Sequence, residues 1–501
     1  MLFFSPLVLV SSLALLMIVT LVRRLRSPLS SLPGPRYSVF TSLPLKWAEF
    51  NADRTLFVHQ LHQQYGPVVR LAPNEVSFTS AAAVKEIYCS GGSGYDKTEF
   101  YNLFTVYGRR TMFSTLNKEP HGRRKRALAD RYANSNVMRG ESIAGIEERG
   151  QRFVERVQQR ASLFNNTGDE GAGQVDIYTA LHAYAFDCIS HHIFHPLGSD
   201  SLRKASDETI MLEVTGDSSL QNRLVSYYLP TLHAMVGRVL DVVAPPRETP
   251  LADDFVIEAT DKRAQARPFT LLSRLGDKVW GLDETTVAAE CLDHMVAGID
   301  TTGDALCFLM WELSQPRSLW VQDTLRMELR EAEKKGEQWD RLAYLDAVVM
   351  EGLRCFPAIP MSLPRYVPAG GRTIDGYSMP GHTIVSCQAY SVQRIDESLF
   401  PEPDRFNPER WLAMADNDGG DDGKEAARKR AFFAFSNGGR GCVGKHLALA
   451  EMKILLRDVY ARYRTLPGQG MTDDMMEMED QLISARPKGQ KCLLQFVADE
   501  V

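Results

Sequence analysis

The first two dozen positions differ from the rest of the chain by hydropathy alone. From Leu2 to Val22 no residue is charged, and most are Leu, Val, Phe, Ile, Met or Ala. Wound as a helix, this run would be about 31 Å long, close to the roughly 30 Å hydrocarbon thickness of a bilayer. Arg23, Arg24 and Arg26 follow at once, and no basic residue precedes. A cleaved secretory signal has the reverse order, with its positive charge first and small residues at a cleavage site. The positive-inside rule sets the arginines and all that follows in the cytosol. The expectation is a transmembrane anchor over residues 1–22 and a basic, proline-marked linker over 23–36, broken at Pro33-Gly34-Pro35. A cytosolic body then occupies residues 37–501.

Within the body, the apolar spacing is mostly helical from Asp53 to Tyr344. Extended runs are brief. Val68–Leu71 and Glu75–Phe78 flank Pro73-Asn74, which predicts a hairpin, and Thr383–Ser386 and Cys492–Phe496 lie further on. A helix-like run covers Thr285–Ser314, and an amphipathic one covers Lys445–Val459. The acid- and glycine-rich stretch 416–424 predicts a surface loop, and the polar, proline-marked stretch 244–268 a connection between two helices. Asn165-Asn166-Thr167 matches a glycosylation acceptor, but in the cytosol it reads as an unmodified polar loop. At about 150 residues per domain the length predicts two to four domains. No repeat or internal linker divides the body, however, so it reads as one large, mainly helical unit with small β-elements.

Composition narrows the function classes. With 57 Lys+Arg against 63 Asp+Glu, the chain lacks the basic excess of a nucleic-acid binder. Its eight cysteines are scattered singly, with no CxxC pair, which fits reduced thiols better than a disulfide framework. His191 and His195 share a helical face as zinc ligands do, but no third ligand lies nearby and a metal site is not expected.

One cysteine stands apart. Cys442 lies in Phe435-Ser436-Asn437-Gly438-Gly439-Arg440-Gly441-Cys442-Val443-Gly444, the pattern FxxGxRxCxG, just ahead of an amphipathic helix. The glycines permit close approach of a flat partner. Backbone N–H groups at the helix start favour a thiolate. Arg440 offers a fork of donors for a carboxylate. Thiolate, arginine and glycine-rich loop together describe an axial haem site. The segment resembles the haem-binding signature of cytochrome P450 monooxygenases, and three further motifs extend the resemblance over nearly the whole body.

The first is Ala297-Gly298-Ile299-Asp300-Thr301-Thr302, which matches the family's central helix across the haem face. There Gly298 is expected to remove a side chain where oxygen must fit, and Asp300 with Thr301 to relay protons. The second is Glu351-Gly352-Leu353-Arg354, followed by Pro408-Glu409-Arg410-Trp411. It implies a buried Glu351–Arg354–Arg410 network that locks the core around the cysteine loop. The third is a set of haem carboxylate contacts: Arg440, then Arg365 in Leu363-Pro364-Arg365-Tyr366, then His121 and Lys125 in a basic run where the family usually has Trp and a basic residue. Phe435 and Gly444 complete the expected cofactor contacts.

The resemblance implies a mainly α P450 fold and a haem-thiolate monooxygenase carrying haem b, with Cys442 as the iron's axial ligand. No GxGxxG segment for a flavin domain is present. Electrons are therefore expected from NADPH through a separate NADPH–cytochrome P450 reductase, at the endoplasmic-reticulum membrane. A non-oxygenating haem-thiolate isomerase or dehydratase is the alternative within the fold, and a haem-based sensor or carrier the alternative outside it; the Asp300–Thr301 pair argues against both. Phe100, Phe104, Phe113, Met295, Ala297, Ile359 and Met361 are expected to line an apolar pocket for a lipophilic substrate. Several stretches look like fungal secondary-metabolism members of the family, which points to a polyketide or terpenoid intermediate.

Overall fold

The computed structural model describes residues 6–165, 174–412 and 422–498. The acceptor triplet extends outside this range, as does most of the acid- and glycine-rich stretch, whose last three residues open a helix over Asp422–Ala431.

The apolar run forms α1 (Pro6–Leu25), which continues three residues past Val22 and takes in Arg23 and Arg24. It is the one helix among the described residues long and apolar enough to cross a membrane, and none of its Val8–Leu25 window is buried against the body. The linker after it is not free. Leu29 and Leu32 are buried in the core, and the guanidinium of Arg70 donates to the carbonyl oxygens of Leu29, Ser30, Leu32 and Pro35 at 2.8–3.2 Å. A Cβ on Gly34 would lie 2.7 Å from the Arg70 carbonyl oxygen, so glycine is required for this close approach.

Chain reversal at Pro73-Asn74 closes the expected hairpin of β1 (Val68–Ala72) and β2 (Glu75–Phe78). The rest of the site is carried by α2 (Ala81–Cys89), β3 (Asp96–Lys97), α3 (Lys118–Leu128), α4 (Ile177–Phe194), α5 (Leu220–Tyr228), α6 (Pro230–Val243) and α7 (Pro250–Asp261). After these come α8 (Glu284–Ser314), α9 (Ala343–Cys355), β4 (Arg365–Tyr366), β5 (Ile384–Ser386) and α10 (Lys445–Tyr460). The main sheet runs β1-β2-β5-β4-β3, antiparallel except for β2 on β5. Helix α7 corrects the expected connection over 244–268: Pro250 sits in its first turn, where a missing N–H costs nothing, so proline there starts a helix.

Helix α8 passes through the centre of the larger core. Its N-terminus is capped by Asp283, which accepts the Thr286 N–H at 2.7 Å. It packs closely along α4, and glycines set the spacing. A Cβ on Gly298 would sit 2.5 Å from Ile189 Cγ1, and one on Gly303 would sit 2.7 Å from the His182 ring. This corrects the expectation for Gly298: its missing side chain makes room for α4. His191 is buried, with Nε2 at 3.0 Å from the Glu141 carbonyl oxygen, and the half-buried His195 packs edge-on against its ring. No His/Cys/Asp/Glu group able to hold a metal ion occurs among the described residues.

Candidate active site

The loop around Cys442 is held by its own backbone. Cys442 N–H donates to the Phe435 carbonyl oxygen at 2.8 Å, and Gly441 N–H to that of Gly438 at 3.0 Å. Gly438 has φ +72°, and a Cβ on it would lie 2.0 Å from the Tyr88 carbonyl oxygen at the end of α2. Any side chain there would push the loop off α2. Gly444 ends the loop, and α10 starts at Lys445. Burial pushes the Cys442 thiol up, while backbone N–H groups of Gly444 and Lys445 and the charges of Lys125 and Lys445 pull it back. Of the eight cysteines, Cys442 alone is exposed.

The same contrast marks α8. Most of this helix is buried, yet Ala297 is exposed and Asp293, Asp300 and Thr301 are half-buried. Asp293, Ala297 and Thr301 recur every four residues, so they share one face. Thr301 Oγ1 donates to the Ala297 carbonyl oxygen at 2.7 Å, the back-bond that loosens a helix locally. Burial raises the Asp300 carboxyl to about 6 and that of Asp293 to about 7. Met295 is different. It lies two residues from Ala297, on the opposite side of the helix, and is fully buried in the core. It is a packing residue, and the expected pocket role is corrected.

Basic side chains converge beside the loop. Strand pairing of β3 with β4 sets Lys97 opposite Arg365. Lys97 Nζ donates to the Phe113 carbonyl oxygen at 2.5 Å, and Arg365 Nη1 to Tyr101 Oη at 2.7 Å. Arg440 donates to the Leu116 carbonyl oxygen at 2.6 Å and pairs with Asp96 at 3.0 Å, while its buried Nε has no partner. His121, on α3, is buried among them. Burial first, then the charges of Lys97, Arg440, Lys125 and Arg365, lowers its pKa to about 3. Burial and the neighbouring arginines hold Lys97 well below its ordinary value, and burial lowers Arg440 to about 10. Lys125 reaches the loop itself: its Nζ donates to the carbonyl oxygens of Gly439 at 2.9 Å and Gly441 at 3.3 Å.

The Glu351 carboxylate sits on α9 with no side-chain exposure, and five donors meet it. Arg354 approaches both oxygens at 2.9 and 3.0 Å, Arg410 Nε and Asn407 N–H reach Oε1 at 3.0 and 2.9 Å, and Trp411 Nε1 reaches Oε2 at 2.9 Å. Asn407 and Trp411 join the network beyond the Glu351, Arg354 and Arg410 that the resemblance implies.

The Cytochrome P450 family model matches residues 32–493. The chain belongs to the cytochrome P450 family. It is 30% identical to Cytochrome P450 monooxygenase stcB of Emericella nidulans over 485 residues, covering 93% of this chain and 88% of that relative. It is 28% identical to monooxygenase aflV of Aspergillus parasiticus over 497 residues (94% and 92%) and to tazI of Aspergillus terreus over 510 residues (96% and 97%). This P450 is therefore an oxidoreductase of the monooxygenase class, and its family implies haem.

The donor set fits that group. Two carboxylates are what a cluster of Lys97, His121, Arg365 and Arg440 lacks, since the acids nearest it are Asp96, already paired, and Asp293 across on α8. Lys97 was not among the residues singled out by motif. It is a lone lysine in a two-residue strand, and only the β3–β4 register brings it to Arg365.

The expected pocket residues fall into two groups. Phe100, Phe104 and Phe113 join Tyr101 in an aromatic cluster with ring centroids 5.1–6.4 Å apart. Phe100 and Phe104 pack on α5 beside Leu220 and Leu224. Phe100 and Met361 also line a cleft of about 440 Å³ that runs past Tyr227 and Tyr228 to Leu43 and Arg24. Ile359 is half-buried in the segment after α9.

Proposed function

We propose that this P450 inserts one oxygen atom from O₂ into a lipophilic substrate, with Cys442 as the thiolate ligand and Asp300 and Thr301 as the proton-delivering pair. Haem b bound at Cys442 would supply the oxygen-activating chemistry, with O₂ as the oxidant and two electrons delivered from NADPH. The observation that carries the reading is the Cys442 loop, held by the Cys442 N–H on the Phe435 carbonyl oxygen and flanked by the buried cations of Lys97, Arg365 and Arg440.

Around that centre the chain's residues divide the work. Arg365, Arg440, Lys97 and His121 would hold the two carboxylates, and Lys125 would brace the loop through its carbonyls. Phe435 and Gly444, at the two ends of the cysteine loop, would complete the contacts with the cofactor. Glu351, Arg354 and Arg410 hold the loop's support rigid. Asp300, raised to about 6, gains and loses a proton closer to neutral pH than an ordinary carboxylate and would pass it to Thr301. The aromatic cluster of Phe100, Tyr101, Phe104 and Phe113 supports a lipophilic substrate, and the mixed polar and apolar cleft past Phe100 and Met361 leads from it towards α1. Similarity to fungal P450s supports a polyketide or terpenoid intermediate of secondary metabolism. An anchor at α1 with a cytosolic body supports an endoplasmic-reticulum location and electrons from NADPH through a separate P450 reductase.

Reconstitution with NADPH and reductase tests this reading. Thr301→Ala is expected to keep NADPH consumption and to release hydrogen peroxide at the expense of product. Unchanged coupling would remove Thr301 from proton delivery.

A further inference from the structure

We infer that His182 and Asp304 form a proton reservoir that feeds Asp300, extending proton supply one helical turn beyond the acid–alcohol pair. The inference rests on the role given above to Asp300. It starts from the gap that Gly303 leaves between α8 and α4, which the His182 ring fills. His182 Nε2 lies 3.4 Å from Asp304 Oδ1, and Nδ1 lies 2.8 Å from the Tyr178 carbonyl oxygen. That carbonyl only accepts, so Nδ1 carries a hydrogen and Nε2 is the nitrogen that gains and loses a proton. Asp304 Oδ1 is buried with no hydrogen-bond partner, so it can accept that proton. Asp304 follows Asp300 by four residues, one turn along the same face.

The surroundings raise both groups above their ordinary values. Burial works against the His182 cation, but Asp304, the Tyr178 carbonyl and Asp300 outweigh it and raise its pKa. Burial raises Asp304, against the pull of His182 and Arg486. Asp300 also faces Arg247 and Asp217, which lie 3.3 Å apart at the partly exposed edge of the cluster. Tyr178 and Cys307 complete the ring of titratable neighbours. In the step proposed, the His182 imidazolium gives its Nε2 proton to Asp304 Oδ1. Asp304 gives one proton through water to the Asp300 carboxylate, and His182 ends neutral. One proton from solvent at the Asp217–Arg247 edge restores it. His182 acts through Asp300 and is in this sense a positioning residue.

The test uses full-length holoenzyme with two readouts. In the carbon-monoxide-bound ferrous protein with ¹⁵N-labelled histidine, the signal lost in His182→Gln should titrate above 6.5, and should fall below it in Asp304→Asn. In oxygen consumption driven by NADPH and a P450 reductase, without added substrate, the alkaline limb should have its midpoint above 6.5 in the wild type. It should leave that midpoint in His182→Gln, where Asp300 alone sets the limb without the His182 charge that holds its pKa down. A His182 that stays neutral from about pH 5.5 to 8 overturns the inference. So does a His182→Gln profile that superimposes on the wild type while Asp300→Asn alters it. If Asp300→Asn leaves the profile unchanged, the reading of Asp300 itself fails. Should His182→Gln not fold, Asp304→Asn and the wild-type titration decide the matter alone.

Discussion

Gln393 Oε1 accepts the backbone N–H of Phe433 at 2.8 Å, in the core just ahead of the cysteine loop. The same amide donates to the Arg354 carbonyl oxygen at 2.9 Å, and Arg354 returns a hydrogen bond to the Gln393 carbonyl oxygen at 3.1 Å. The Glu351–Arg354 pair is thereby tied through one side chain to the segment that carries Cys442. Gln393→Leu leaves the Phe433 N–H buried without an acceptor, at a cost of about 1–3 kcal/mol. It should lower thermal stability and haem retention together, measured by melting and by haem transfer to apomyoglobin.

Breaking the network at its centre is more severe. Glu351→Ala leaves Arg354, with no exposed side-chain surface, uncompensated. Removing one partner of a buried pair costs about 3–5 kcal/mol, and little folded, haem-bearing protein should accumulate. Absorbance per milligram of purified protein checks this.

Two glycines in the cysteine loop should respond in opposite ways. Gly438→Ala adds a Cβ at 2.0 Å from the Tyr88 carbonyl oxygen and forces φ +72° on a non-glycine residue. It should abolish thiolate ligation. Gly444→Ala places its Cβ 3.9 Å from Cys442 Sγ, ordinary contact distance, and should retain the haem spectrum.

Glu451 on α10 gives a pH signature. Burial raises its carboxyl to about 8, and its Oε2 accepts Thr302 Oγ1 at 3.1 Å. Because the folded pKa exceeds the unfolded one, the native state binds the extra proton between about 4.5 and 8. Stability therefore falls as pH rises through that window. Glu451→Gln should flatten this fall, and melting temperatures across the window test it.

How legible the site was in the sequence depends on the distance over which its chemistry is written. Cys442, Arg440 and the Glu351–Arg354 pair stand in short motifs whose spacing is set by one loop or one helical turn. Lys97 and Gln393 act through strand register and a long-range side-chain bond, so no local pattern marks them. Met295 and Gly298 show a second limit. Apolar and small residues surround Ala297 on every side of α8, and only helical phase separates the more exposed face of Ala297 and Thr301 from the face packed on α4. Arg70 shows a third: the linker looks free in sequence, because nothing at residues 28–35 announces the distant guanidinium that gathers its carbonyls.

The central claim is that Cys442 provides thiolate ligation to haem. The direct measurement is the absorption spectrum of the reduced, carbon-monoxide-bound protein. The red-shifted Soret band of thiolate ligation is expected, and it should be lost in Cys442→Ser. A Soret band in the ordinary position from folded, haem-loaded wild type would contradict it.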